Sequence, residues 1–404
     1  MSLIVQKFGG SSVADEDKIR HVAQRIVDTR RAGHQVVAVV SAMGKTTNNL
    51  LNMARNLANE PSRRELDMLL ACGERISMSL LSMAIQELGE DCISLTGPQA
   101  GIRTTDNHFN ARITDVQAGR VHRELDRERV VVVAGYQGMN SRGEVTTLGR
   151  GGSDTTAVAV AAGIEADRCE IYSDVDGVYT ADPRIVDSAR PMPEISYVEM
   201  TELAHHGASV LNPRAVEYAW REGMEVRARC TFNDAPGTRI FEREADDKAK
   251  VLGVACHKEL VWVSLKGKEI VNRLGEEVLE AIEKNDIFVD DTGDEGERRD
   301  MLISTEDIAN LDSFAKGLRD QFDDRIVVST EQGSVSAVGL RTGKDPAILE
   351  KAEKALRKAD IEARMSFTRD HSITCLVDTA QVGDALRALH GAFIEDSKQA
   401  KEVA

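Results

Sequence analysis

Aromatic side chains are scarce in this sequence: Phe, Trp and Tyr make up 4% of 404 residues. Stacking platforms for single-stranded nucleic acid depend on such rings. Positive charge is short as well. The formal net charge is −16, and no segment gathers Lys and Arg into a stripe that could follow a phosphate backbone. No nucleic-acid partner is expected. The six cysteines (Cys72, Cys92, Cys169, Cys230, Cys256, Cys375) are scattered, without a C-x-x-C pair or a histidine at ligand spacing. That argues against structural zinc and against a disulfide framework. No apolar run approaches the ~20 residues that span a bilayer. Met1–Val5 pass directly into a strand-like pattern with no basic leader. The expectation is a cytoplasmic protein with no membrane partner.

What is present is a rhythm. Leu3–Lys7 is a short buried strand ended by Gly9-Gly10. Ile19, Val22, Ala23, Ile26 and Val27 then recur at helical spacing before Gly33. Val36–Val40 is a continuous apolar run, the mark of a strand covered on both faces. A helix over Glu65–Leu88, the strands Cys92–Thr96 and Val130–Ala134, a helix from Ser153 and the strand Cys169–Ser173 continue the alternation. A helix over Glu199–Arg221 and the strand Glu225–Phe232 close it. The pattern predicts an α/β domain over residues 1–240 on a mainly parallel central sheet. Asn233–Lys250 reads as a linker. Beyond it the elements shorten into two βαββα passes, 251–330 and 331–396, which predict two ferredoxin-like α+β domains. The acidic stretch Asp290–Asp300 reads as a solvated loop.

Three segments carry chemistry. Lys7-Phe8-Gly9-Gly10-Ser11-Ser12 follows the first strand, on the edge where parallel sheets bind ligands. Its glycines admit backbone N–H groups to phosphate oxygens and Lys7 can neutralise charge; a tight turn with a surface lysine is the plainer alternative. In Leu148-Gly149-Arg150-Gly151-Gly152-Ser153-Asp154-Thr155-Thr156 the glycines precede a cap that opens an apolar helix, which points N–H groups and the positive helix end at one place. Arg150 suits a carboxylate and Asp154 could orient Lys7. A merely structural helix start would need the cap but not Arg-Gly-Gly. Ser173-Asp174-Val175-Asp176-Gly177-Val178-Tyr179-Thr180-Ala181-Asp182-Pro183-Arg184 follows another strand. It fails as a calcium loop, because Val178 takes a ligand position and no Glu closes it. A nucleotide suits it better, with an ordinary Asp-Gly turn as the alternative. Ser41-Ala42-Met43-Gly44-Lys45-Thr46-Thr47 is not a P-loop, since Val39 stands where the first glycine should be. Gly73 before Glu74 costs a helix about 1 kcal/mol; close approach of a ligand to Glu74 or a break in the helix would each explain it.

Taken together, these three segments resemble aspartate kinase, a member of the amino acid kinase family. The likeness is strong from Met1 to about Ile240 and weaker beyond, where the layout is similar to tandem ACT domains. The resemblance implies an amino acid kinase fold that transfers phosphate from ATP, with Mg²⁺, to the side-chain carboxylate of L-aspartate. The product, 4-phospho-L-aspartate, enters lysine, threonine and methionine synthesis. It implies that Lys7, Phe8, Gly9, Gly10, Ser41, Ser173, Asp174, Tyr179, Asp182 and Arg184 bind ATP. Thr47, Glu74, Arg150, Gly151, Gly152, Ser153 and Asp154 would bind the substrate, with Lys7 and Asp154 catalytic. A homodimer or larger oligomer through the ACT-like domains is implied as well. Two positions depart from the family pattern. Ser209 stands where a lysine near the ATP phosphates is expected, which leaves Arg214 or another cation to replace it or ATP binding weaker. Leu265-Lys266-Gly267-Lys268-Glu269-Ile270 lacks the Pro-Gly pair of an effector turn. A kinase for glutamate or acetylglutamate, and a non-catalytic amino-acid sensor on the same fold, are the alternatives.

Overall fold

Leu3–Phe8, apolar at four of its six positions, is the first strand (β1) in a computed structural model of the chain. The structure describes residues 1–208, 210–243, 249–266, 275–279, 282, 289–294, 298–305, 308, 311–322 and 325–395. They divide into two compact units. The first comprises Met1–Val178, Pro191–Ala204 and Ser209–Glu244; the second comprises Tyr179–Arg190, His205–Ala208 and Ala245–Ala404.

In the first unit β1 is followed by α1 (Glu16–Arg31), β2 (Gln35–Val40), α2 (Thr46–Leu57), α3 (Arg63–Leu70), α4 (Cys72–Glu87) and β3 (Cys92–Leu95). Next come β4 (Ile102–Thr104), β5 (Ile113–Val116), α5 (Gly119–Leu125), β6 (Val130–Ala134), β7 (Gln137–Met139) and β8 (Val145–Thr147). The helix α6 (Gly152–Gly163) and β9 (Arg168–Ser173) follow, then β10 (Glu194–Ser196), α7 (Tyr197–His205), α8 (Pro213–Glu222), β11 (Val226–Cys230) and β12 (Thr238–Phe241). The main sheet has the order β10-β12-β11-β9-β1-β2-β6-β3. Every neighbour is parallel except β11 with β12. From β1 the chain moves to β2 on one side and later to β9 on the other. Strand order reverses there, and ligands of open parallel sheets bind at the carboxyl ends beside such a point. The helix α1 forms as its spacing predicts: Asp15 caps the Lys18 N–H at 2.9 Å, and Ile19, Val22, Ala23, Ile26 and Val27 are buried.

Several expectations are corrected. The helix over Glu65–Leu88 is two helices that meet at Ala71, whose carbonyl accepts from Gln137 Nε2 at 3.0 Å. Arg63–Glu87 is, by length and composition, one stretch apolar enough to cross a membrane. It nevertheless buries Leu66, Leu70, Leu81 and Ile85 in the protein, as a core helix does. The helix over Glu199–Arg221 is likewise two, because Asn212 caps and Pro213 opens a new one. The linker read over Asn233–Lys250 contains β12, and a second sheet of order β5-β4-β7-β8 stands apart from the first.

The second unit is built on one antiparallel six-stranded sheet. Its strands are β13 (Gly253–Lys266), β14 (Val289–Asp294), β15 (Arg298–Ser304), β16 (Ile326–Val338), β17 (Met365–Arg369) and β18 (Ser372–Asp378), in the order β14-β15-β13-β16-β18-β17. Helices accompany them, among the described residues a stretch at 275–279, α9 (Leu311–Phe322), α10 (Pro346–Lys358) and α11 (Val382–His390). The buried side chains of this unit form two cores. Val261, Val263, Met301, Ile303 and Phe322 belong to one; Val254, Val335, Ala337, Ile373, Leu386 and Leu389 belong to the other. The expected boundary at 330/331 is therefore redrawn. The long β13 and β16 each run through both cores, so the chain begins the second ferredoxin-like half, completes the first, and returns. The expected loop Asp290–Asp300 contains the hairpin strands β14 and β15, whose backbones pair Asp290 with Leu302. An acidic edge strand is one way to discourage further pairing. The effector-turn residues 267–270 and Ser209 lie outside the described residues.

Candidate active site

The carboxyl ends of β1, β2 and β9 are tied to one another through backbone hydrogen bonds. Gly9 N–H donates to Tyr172 O at 3.2 Å, Ser41 N–H to Phe8 O at 3.1 Å and Gly44 N–H to Gly10 O at 3.0 Å. A Cβ on Gly10 would stand 2.8 Å from Ala42 O, so only glycine lets these turns approach so closely. Phe8 contributes no side chain to this edge. Its ring is buried and stacks on Tyr172 at 5.0 Å, because strand alternation turns it into the core while Lys7 points to the opposite face.

Lys7 Nζ meets Asp154 Oδ1 at 2.5 Å, with both side chains about nine-tenths buried. Two segments read separately in the sequence are thus joined. Asp154 stands in the first turn of α6, which starts where Gly151 adopts a left-handed conformation (φ 65°). Gly135, at the end of β6, admits that helix start: a Cβ there would lie 2.7 Å from Ser153 Oγ and 3.0 Å from Val40 O. Arg150 is exposed, and its carbonyl accepts from Asn212 Nδ2 at 3.3 Å.

Glu74 is 2% exposed. Its Oε1 accepts the Ala42 N–H at 3.0 Å, while Oε2 has no hydrogen-bond partner among the described residues. Burial pushes its carboxyl up to about 7, against the weaker lowering effect of its own backbone N–H and that of Ala42. Gly73 is explained by this contact. A Cβ there would come 2.7 Å from Ala42 Cβ, so glycine lets α4 press against the turn after β2. The close neighbour is the protein's own loop. Thr47 lies in the first turn of α2, half-buried, and Ser173 and Asp174 lie at and just past the end of β9.

Tyr179, Asp182 and Arg184 belong to the second unit. Arg184 clamps Asp182 with Nε at 2.9 Å and Nη2 at 2.8 Å and holds that carboxyl below its usual range. The same segment is fastened within that unit: Val254 N–H donates to Thr180 O at 2.7 Å, and Thr180 Oγ1 meets His390 Nε2 at 2.9 Å.

Sequence reasoning missed Asp67, Asn110 and Asn212. Asp67 is fully buried and binds Thr147, Phe109 and His108. An acid inside the apolar run Leu66-Asp67-Met68-Leu69-Leu70 was the available signal. Asn110 Oδ1 accepts from Arg214 Nη1 at 2.6 Å, and a Cβ on Gly149 would stand 2.7 Å from that same oxygen. Arg214, one possible substitute for the lysine absent at Ser209, is thus tied to Asn110.

The amino acid kinase family pattern matches residues 2–229, and the ACT domain pattern matches residues 335–393. The chain is 42% identical to the aspartokinase of Mycolicibacterium smegmatis, over 97% of this chain and 96% of that one. It is 40% identical to aspartokinase 2 of Bacillus subtilis (strain 168), over 97% of this chain and 98% of that one. A crystal structure of E. coli aspartokinase III in complex with aspartate and ADP superposes with a TM-score of 0.81. It covers 96% of this chain and 99% of that one, at 24% identity, and so shows the shared fold. The chain belongs to the amino acid kinase family and, within it, to the aspartokinases.

Proposed function

We propose that this site transfers the terminal phosphoryl group of ATP to the side-chain carboxylate of L-aspartate, and that Lys7 and Asp154 are its catalytic pair. The protein is an aspartate kinase. The observation that carries the residue assignment is the buried Lys7–Asp154 ion pair, set at the strand-order reversal beside the Gly9-Gly10 turn. A carboxylate with a pKa near ~3.9 is ionised at neutral pH and needs no general base. One of its oxygens attacks the terminal phosphorus, the bond to the bridging oxygen breaks, and ADP leaves with that electron pair. Catalysis then reduces to alignment and charge stabilisation. Asp154 holds Lys7 toward the transferring group, and the Gly9 and Gly10 backbone lies next to it.

Glu74 receives the substrate ammonium on Oε2, and Arg150 takes a carboxylate. Thr47, Gly151, Gly152 and Ser153 complete the substrate side; Ser41, Ser173 and Asp174 serve the nucleotide. No group of three or more His, Cys, Asp or Glu is gathered to hold a metal among the described residues. Magnesium, which usually binds through phosphate oxygens and one or two carboxylates, would enter with the nucleotide, and Asp154 or Asp174 would be the protein carboxylate that holds it. When bound it neutralises phosphate charge.

The compartment is the cytoplasm, and the protein acts as a homo-oligomer through its ACT-like unit. Support for the latter comes from Leu260, Leu302 and Leu376, which cluster with the partly exposed Trp262, Met365 and Phe367. Alternation places them on the sheet face opposite the two helix-covered cores.

The test is ADP release with aspartate, glutamate or acetylglutamate, with hydroxylamine present to trap the acyl phosphate. Aspartate should give hydroxamate well ahead of glutamate and acetylglutamate, and Lys7→Ala should lower kcat by roughly 10²–10³-fold with folding intact. Ligand binding without ADP would favour an amino-acid sensor. An undiminished rate in Lys7→Ala would remove that residue from the mechanism.

A further inference from the structure

Both oxygens of the fully buried Asp67 carboxylate are engaged. Its Oδ1 accepts from Thr147 Oγ1 at 2.5 Å and from the Phe109 N–H at 3.0 Å. Its Oδ2 accepts from His108 Nδ1 at 2.6 Å and from the same Phe109 N–H at 3.2 Å. These donors lie about 40 and 80 residues further along the chain, on two separate segments. Phe109 is held in a left-handed conformation (φ 75°), which an aromatic residue rarely adopts unless its surroundings require it.

Both segments lead to Arg150. Thr147 ends β8, and its carbonyl accepts the Ala111 N–H at 2.9 Å, so the two segments are also bound to each other. Leu148 N–H then donates to Tyr136 O at 2.9 Å, and Tyr136 N–H to Thr156 Oγ1 in α6 at 3.1 Å. Gly149 (φ 75°) lies against Asn110, the residue after Phe109. The turn that carries Arg150 thus has one end fixed to α6, which bears Asp154, and the other fixed through Thr147 to Asp67. Asp67 sits on α3, next to the helix whose Glu74 reaches the turn after β2.

We propose that Asp67 is a positioning residue that fixes the distance between Arg150 and the Lys7–Asp154 pair, and with it the length of dicarboxylate the enzyme accepts. This rests on the reading of Arg150 as the group that holds a substrate carboxylate. With the Arg150 turn rigid, a substrate longer by one methylene cannot place both its ends. Discrimination of that kind is worth about 10–200-fold when the walls do not yield. With the turn loosened, the longer acid gains and the shorter one binds less well. The phosphoryl transfer itself, once a substrate is bound, is little changed. Asp67 touches neither reactant.

Asp67→Ala, Asp67→Asn, Thr147→Val and Arg150→Gln are compared in the full-length enzyme, with thermal melts alongside. The readouts are KM for aspartate, kcat, and the ratio of kcat/KM for aspartate over glutamate. Thr147→Val removes a single donor and keeps the volume, so it remains informative where Asp67→Ala unfolds. Thr147→Val, and Asp67→Ala where folded, should raise KM about tenfold with kcat within about threefold, and lower the aspartate-to-glutamate ratio by about tenfold. Asp67→Asn should stay near wild type, because its carbonyl still accepts from Thr147 and Phe109 while its amide faces a histidine able to accept. The inference is overturned if folded Thr147→Val keeps both the wild-type KM and the wild-type ratio, or if Asp67→Asn is as impaired as Thr147→Val. Arg150→Gln separates the two layers. If it leaves KM unchanged, the reading of Arg150 has failed and the inference falls with it. If it raises KM while Thr147→Val does not, only the role of Asp67 has failed.

Discussion

Asp67 and Glu74 stand on successive helices, and both are almost wholly buried. Burial raises the pKa of each. They differ in what answers that burial. Asp67 has a hydroxyl, a backbone N–H and an imidazole arranged over both its oxygens. Glu74 has one backbone N–H on one oxygen and nothing on the other among the described residues. Buried polar groups are normally satisfied, and an exception calls for a reason. A carboxylate with every acceptor site engaged holds segments of chain together. One left half-engaged, beside a glycine that lets its helix press on the turn after β2, has an oxygen open to a ligand that brings its own positive charge, the role proposed above for Glu74. The same residue class in the same environment thus separates into architecture and recognition by its count of partners.

The contrast can be broken most forcefully at Asp67. Asp67→Leu leaves the Phe109 N–H, Thr147 hydroxyl and His108 ring without their acceptor and should destabilise the first unit by about 3–5 kcal/mol. Denaturant unfolding measures this; a loss under about 1 kcal/mol would mean Asp67 is not the structural member of the pair.

Glu74→Gln should do the reverse. It retains the oxygen that accepts from Ala42 but loses the charge, so kcat/KM for aspartate should fall by about 10²-fold or more. Its stability should rise at alkaline pH. Glu74 titrates near 7 in the folded protein against an ordinary 4.5, so between those values the native state binds more protons than the unfolded chain. Stability therefore falls as pH rises through that window. Glutamine removes the fall and should make the variant more stable at pH 8 by up to about 3 kcal/mol. A Glu74→Gln enzyme that is both active and no more stable at pH 8 would place Glu74 with Asp67.

The same value near 7 gives the wild-type enzyme a pH signature. An ammonium ligand prefers the ionised carboxylate, so affinity for aspartate should improve by about tenfold from pH 6 to pH 8 as Glu74 loses its proton. The Glu74→Gln profile should be flat over that range. Calorimetric titration of aspartate at several pH values reads this directly. A wild-type profile as flat as the variant's would show that Glu74 does not face the ammonium.

How much of this could be read from the sequence depended on how local the determining contact was. The alternation of apolar strands with amphipathic helices depends on spacing within ten to twenty residues, and β1, α1, β2 and β6 fall where that spacing puts them. The Lys-Phe-Gly-Gly and Arg-Gly-Gly-Ser-Asp segments do lie at a strand end and a helix start, though alternation alone should have turned Phe8 into the core. The remainder depends on partners far apart in the chain. The strands β4, β5, β7 and β8 are three or four residues long and leave no periodic trace. The return of β16 to the core begun by β13 is a matter of long-range pairing. The donors of Asp67 come from segments whose proximity nothing in its own neighbourhood announces. Gly73 was noticed as a cost to its helix, but what it made room for became visible only with Ala42 in place.

That glycine offers the smallest and sharpest test. On helix propensity alone Gly73→Ala should stabilise, by about 1 kcal/mol. The structure predicts the opposite sign, because the new methyl would lie 2.7 Å from Ala42 Cβ and neither carbon belongs to a flexible side chain. Overpacking of this kind costs about 1–3 kcal/mol, so the net change should be a modest destabilisation. The displaced turn carries the Ala42 N–H, which donates to Glu74 Oε1, and lies next to Gly10 and Gly44. Aspartate affinity should therefore fall along with stability. The paired change Gly73→Ala with Ala42→Gly restores the space while keeping the backbone donor, and should recover both. Recovery of stability without recovery of affinity would show that the turn positions Glu74 by something other than this contact. Recovery of neither would mean that the glycine serves a different neighbour.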